Sequence, residues 1–156
     1  MNSNNDAAYM KKMALEYKKE LLPLLRYMMY FMERTGEDPT TNYDGKENGN
    51  NTLSFPIFDA TLLAFVKEAS KTSFMDKNYT YIYSWHRIKS PEDERKLIEK
   101  ATITEWNVLC GILTNYVQGG MSRAFLWRDG VKENIFYLLL SKMKEIVEYW
   151  DQPIIM

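Results

Sequence analysis

A single histidine and a single cysteine limit what chemistry this sequence could perform. Cys110 with His86 is the sole pairing for nucleophilic catalysis, in which an imidazole takes the thiol proton and leaves a thiolate to attack. No neighbour in sequence would orient the imidazole, and Cys110 falls beside the apolar face of a helical pattern, where a cysteine is ordinarily a small hydrophobe. No catalytic residue is therefore expected. A metal site needs several His, Cys or carboxylate ligands converging, so neither a metal nor another cofactor is expected. Glu92, Asp93 and Glu94 are adjacent, but they stand at a helix start, where stabilising the positive end of the dipole is the expected role. Gly119-Gly120 has neither a following lysine nor a preceding strand, so it reads as a helix stop and not as a phosphate loop.

Two clusters mix aromatic and cationic side chains. Tyr83, Trp85, His86 and Arg87, with Lys89, combine rings on which bases stack with charges that meet phosphates, a set suited to single-stranded nucleic acid. Trp85 packed on the core with Arg87 solvated is the simpler expectation. Arg123, Trp127 and Arg128 follow the Gly-Gly pair on a short helix, so the helix ending at Val117, the turn and this helix loosely match a helix-turn-helix. Two positive charges beside Asp129 make a thin recognition surface, and a plain helical hairpin accounts for the same pattern.

The stretch from Thr102 to Trp150 must position the rest. Thr102 and Glu105 fit a capping box, so a helix starts near Ile103 and presents Trp106, Leu109, Leu113, Tyr116 and Val117 on one face. Gly119-Gly120 is expected to stop it through left-handed dihedrals. Ser122 would cap the next helix, which carries Phe125, Leu126, Trp127 and Val131 inward, and Asn134 would stop or bend it. A long final helix buries Phe136, Leu139, Leu140, Met143, Ile146, Val147 and Trp150, and Pro153 closes it.

Upstream, Asp6 can cap a helix whose stripe runs Met10, Met13, Tyr17, Leu21, Leu24, Met28 and Phe31, with a kink or break expected at Pro23. Lys11, Lys12, Lys18 and Lys19 mark its solvent side. Gly36 ends this unit, and residues 37–52 form a polar stretch expected to be a flexible loop. The chain is extended around Phe55, before Pro56, and Asp59 then caps a helix burying Leu62, Phe65, Val66 and Ala69. Residues 78–85 have strand propensity but no evident strand to pair with, so the expectation is a helix with Tyr79, Ile82, Tyr83 and His86 on one face. Ser90-Pro91 starts another helix, ending near Lys100.

At 156 residues the chain is the size of one domain, and 46% hydrophobic with 26% charged residues is a globular composition. A net charge of -1 removes the overall attraction that sequence-independent nucleic-acid binding needs. One cysteine fits a reducing compartment, no signal peptide is read at the N-terminus, and no run approaches a membrane span, so a cytoplasmic protein is expected.

Ser54-Phe55-Pro56-Ile57-Phe58-Asp59, Met75-Asp76-Lys77-Asn78-Tyr79, the run from Ile112 to Gly120, and Glu133-Asn134-Ile135-Phe136 together resemble domain-of-unknown-function family 6508, an uncharacterised group of gut-type Firmicutes. The likeness covers most of the chain. It implies a bacterial intracellular origin, with carriage by a phage or mobile element, and no activity.

The expected architecture is therefore all-α, a single helical bundle of about six to eight helices spanning residues 1–156, with one long polar loop near residues 36–55. The last helix should pack on the helices starting near Asp6 and Ile103. The expected function is protein interaction or regulation, with a protein partner or a second copy bound, because eleven tyrosines and ten methionines suit an adaptable contact surface. DNA binding through the helix-turn-helix-like segment is the alternative, and no membrane association is expected. A partner module should show an exposed aromatic patch without a deep polar pocket.

Overall fold

The computed structural model describes residues 3–43 and 55–152. Its first helix, α1, spans Ser3–Leu25, so Asp6 sits in the first turn and not at the cap; an acid there still meets the positive dipole end. Pro23 is accommodated inside α1, and the break follows at Arg26-Tyr27 before α2, Met28–Glu33, resumes. The buried stripe keeps phase across the break, with Leu21, Leu24, Tyr27 and Phe31 all in the core. Gly36 then turns the chain with φ at 78°.

Part of the expected polar loop is folded. Thr40–Tyr43 is a strand, β1, pairing antiparallel with β2, Phe55–Phe58, in the register Thr40 to Phe58 and Tyr43 to Phe55. Two β-branched threonines and a tyrosine supply the propensity, and β2 supplies the pairing partner that the sequence did not reveal. The remainder of the loop, residues 44–54, lies outside the described residues, as does Pro153.

Helix α3, Ala60–Ser70, buries Leu62, Phe65, Val66 and Ala69 as expected. Asp59 holds its N-cap position but does not cap it: the carboxylate instead accepts from the Tyr30 hydroxyl at 2.7 Å and lies 3.6 Å from Arg34. Helix α4 is Tyr79–Trp85 and α5 is Pro91–Lys100, the latter capped by Ser90, whose Oγ accepts from the Asp93 amide. After the Thr102/Glu105 capping box and a 3-10 turn, Ile103–Glu105, α6 runs Trp106–Val117. Every residue of α6 except Asn107 and Asn115 is buried, so it is a central helix apolar all round and not one with a single inward face.

The Gly-Gly pair does not stop α6. Gly119–Ser122 forms one further helical turn, α7, and neither glycine has a positive φ. Ser122 lies inside that turn, its hydroxyl donating to the Gly119 carbonyl, and Ala124 holds the N-cap position of α8, Phe125–Lys132. The glycines are needed for space: a β-carbon on Gly120 would stand 2.1 Å from Nε1 of Trp127, whose indole donates to the Val117 carbonyl at 3.0 Å. Phe125, expected inward, is exposed, because Leu126, Trp127 and Val131 fill the inner face of this short helix. Asn134 does take the left-handed conformation, φ 64°, that separates α8 from α9, Ile135–Trp150.

Helix α9 packs along α1 and against α6, as expected, and also meets α5 and α8. Phe136, Leu139, Leu140 and Met143 are fully enclosed, each worth about 1.5 to 3 kcal/mol in area removed from water. Phe136 joins Phe31 and Phe65 in an aromatic cluster with centroids 4.8 to 5.3 Å apart. With α7 taken as the tail of α6, the described residues form eight helices in an all-α arrangement. No described helix is long and apolar enough to cross a membrane.

Candidate functional site

Of the side chains singled out from sequence, Trp85 and His86 come together at one depression beside α4, whereas Tyr83 faces inward and Arg87 does not line it. The inner face of α4 is held in two ways. Ile82 packs onto the bare backbone of α6 at Gly111, where a β-carbon would sit 2.6 Å from its Cδ1. Tyr83 donates its hydroxyl to Glu94 of α5 at 2.5 Å, and Tyr116 of α6 donates to the other oxygen of the same carboxylate, also at 2.5 Å. Glu94 is thus a buried junction between three helices, in addition to the helix-start position expected for it. All three acids of the run stand in the first turn of α5, and Glu94 is the buried one. Burial pushes the Glu94 carboxyl above its ordinary value, and burial together with the facing carboxylate pushes both tyrosines up.

The segment entering α4 is fixed by Thr114, which is completely buried. Its hydroxyl donates to the Cys110 carbonyl at 2.7 Å and accepts from the Asp76 amide at 2.9 Å, while the Asp76 carboxylate accepts from the Asn78 amide at 2.8 Å. The exit is fixed by backbone. The Ile88 amide reaches back to the Tyr83 carbonyl and the Arg87 amide to that of Ser84, a Schellman closure with Arg87 in the left-handed position at φ 53°.

With both ends and the inner face held, α4 presents Tyr81 and Trp85 outward. Trp85 is 70% exposed and Tyr81 63%, and their rings stack at 6.1 Å with planes 24° apart. This overturns the expectation of Trp85 in the core: α4 meets the bundle through Ile82 and Tyr83, and Trp85 lies about 200° around the helix from Tyr83. His86, expected on the inner face, is exposed at the C-cap, where the chain leaves helical geometry. Tyr81, Ile82, Trp85 and His86 line a depression of about 300 Å³ together with Asp76, Asn78 and Asn107. Asp76 and Asn107 continue into a neighbouring depression beside Tyr17 and Trp106, whose rings lie parallel at 4.4 Å.

The other clusters do not converge on this site. Arg123 is exposed at the C-cap of α7, Trp127 is committed to Gly120 and Val117, and Arg128 pairs with Asp129 at 3.2 Å. Cys110 is buried, and burial pushes its thiol up to about 12, which disfavours the thiolate that a nucleophile needs. Among the described residues no three His, Cys, Asp or Glu side chains converge to hold a metal. A wider apolar groove of about 620 Å³ runs between the start of α1 and the end of α9, past Met10, Ile103, Ile146 and Trp150; its Lys142 and Glu145 already pair with each other.

Sequence reasoning named Trp85 and His86 but missed Tyr81, Asp76, Asn78 and Asn107. A signal for Tyr81 was present, since it precedes Trp85 by four residues and shares its face in any helix. Comparisons with protein-family models, curated proteins and solved structures gave no match.

Proposed function

We propose that this chain is a non-enzymatic protein-interaction module whose contact surface is the outer face of α4. The observation that carries the reading is the stacked pair Tyr81 and Trp85, exposed on a helix whose inner face and both ends are tied down. Tryptophan and tyrosine dominate the energetics of protein interfaces, because their broad rings exclude water while losing few rotamers on binding. A rigid platform loses little further freedom when a partner docks. Among the described residues the depression beside the rings is lined by Asp76 and His86 as its titratable groups besides Tyr81, which suits contact better than catalysis.

A bacterial cytoplasmic setting, drawn from the resemblance and the lone cysteine, belongs to this reading. Helix-turn-helix DNA binding has less behind it: α8 is eight residues long, Trp127 faces inward and Arg128 is already paired.

The test is affinity capture of the tagged chain from a lysate of its host, with and without nuclease, beside the double variant Tyr81→Ala, Trp85→Ala. A stoichiometric protein that survives nuclease and is lost with the double variant is the expected result. Capture unchanged by the double variant, or retention of nucleic acid in place of protein, overturns the proposal.

A further inference from the structure

The chemistry of the depression beside Trp85 identifies what it takes, an inference that rests on the reading of α4 as a contact surface. We propose that it receives an arginine side chain presented by the partner.

Its walls supply two things at once. The Trp85 and Tyr81 rings offer exposed π-faces, and a guanidinium is the cation that stacks on such faces best, being planar and weakly hydrated. Asp76 supplies the negative charge. One of its oxygens accepts the Asn78 amide, and among the described residues no lysine, arginine or histidine nitrogen pairs with the carboxylate. The hydrogen bond from its own amide to Thr114 fixes the backbone that carries this carboxylate, so the charge is placed before the partner arrives.

Asn78 and Asn107 line the same depression, and each side-chain amide carries an oxygen able to accept. A guanidinium has five N–H donors in one plane, enough to satisfy a carboxylate edge and an amide oxygen while its face lies on an indole. A lysine ammonium could pair with Asp76 but has no plane to stack. A depression of about 300 Å³ fits one extended side chain and excludes a packed helix. Single-stranded nucleic acid suits it less well, because a carboxylate in the depression repels the phosphates flanking any base stacked on Trp85.

The experiment follows the Trp85 indole N–H and the Asn78 and Asn107 side-chain amides in proton–nitrogen correlation spectra of the full chain. N-acetyl-arginine amide is titrated, then N-acetyl-citrulline amide, which keeps the shape without the charge, then N-acetyl-lysine amide. Arginine should shift these signals saturably, with citrulline weaker by roughly tenfold and lysine in between. Asp76→Asn keeps an acceptor for the Asn78 amide, so its spectrum should stay folded while the preference for arginine over citrulline disappears. Equal shifts from citrulline, no shift from arginine at tens of millimolar, or shifts caused by a single-stranded oligonucleotide but not by arginine each overturn the assignment. Lysate capture separates the two levels: dependence on Trp85 but not on Asp76 removes the arginine assignment and leaves the contact surface standing, whereas dependence on neither removes both.

Discussion

The hydroxyl of Tyr83 and the carboxylate of Glu94 meet at 2.5 Å, eleven residues apart in sequence, and this contact ties the inner face of α4 to the body of the bundle. Glu94 is 4% exposed and accepts from Tyr116 as well, so removing it orphans two hydroxyls in a buried space. Glu94→Ala should cost about 2 to 4 kcal/mol in urea unfolding, whereas Glu94→Gln, which keeps an acceptor and the volume, should cost much less. The folded state holds the Glu94 carboxyl above its unfolded value through desolvation, so it binds that proton more tightly than the unfolded chain does. Its contribution is therefore greatest below the unfolded value and is lost as pH rises through the folded one. Glu94→Gln should gain on wild type as pH rises above the ordinary carboxylate range; a difference in urea midpoints that stays flat with pH would show that Glu94 does not titrate differently on folding.

Gly120 should tolerate no side chain, and Gly119 should tolerate one. A β-carbon on Gly120 meets the rigid indole of Trp127 at 2.1 Å, so Gly120→Ala must displace the ring and break its bond to the Val117 carbonyl, at roughly 2 to 4 kcal/mol. On Gly119 the nearest obstacle is a flexible Leu126 methyl at 3.1 Å, and alanine gains helix propensity there, so Gly119→Ala should stay within about 1 kcal/mol of wild type. Thermal midpoints of the two variants check this. Equal, large losses would restore the left-handed stop.

The elements legible in the sequence were those whose evidence is local. Ser90 with Pro91, the Thr102/Glu105 box and the stripe of α9 from Phe136 to Val147 each appear in the structure as read, Trp150 at the end of the stripe being only partly buried. What escaped were relationships set by distant neighbours. Strand β1 was hidden because its partner lies across the polar loop. Glu94 looked like its acidic neighbours, although it stands three and four residues before Leu97 and Ile98 and so shares their inward face. Helix α4 has aromatic residues on both faces, and the expected inner face is right for Ile82 and Tyr83 but not for His86; Gly111, which leaves room for Ile82 on α6, helps set that orientation. The candidate site was therefore half legible, with Trp85 and His86 found and the Asp76, Asn78 and Asn107 rim supplied only by the fold.

Arg87 closes α4 in a conformation that suits glycine. A side chain at φ 53° crowds the following carbonyl, so Arg87→Gly should raise stability by roughly 0.5 to 1 kcal/mol while preserving the Ile88 to Tyr83 hydrogen bond. Urea unfolding gives the sign, and destabilisation would mean that the guanidinium makes a contact outweighing the backbone strain. Because Arg87 does not line the depression, the variant should also leave capture of a partner unchanged.

Trp85 is the residue on which stability and function should separate most clearly. A tryptophan buried in a core loses several kcal/mol on truncation to alanine, about 3 to 5. One that is 70% exposed and stacks on the similarly exposed ring of Tyr81 has little to lose, so Trp85→Ala should shift unfolding by less than about 0.5 kcal/mol. The same substitution should weaken partner capture at least tenfold, because the ring is free to be desolvated only when something covers it. Paired measurements of thermal midpoint and capture on one protein preparation decide the matter. A large stability loss would return Trp85 to the core, and unchanged capture would make its exposure incidental to binding.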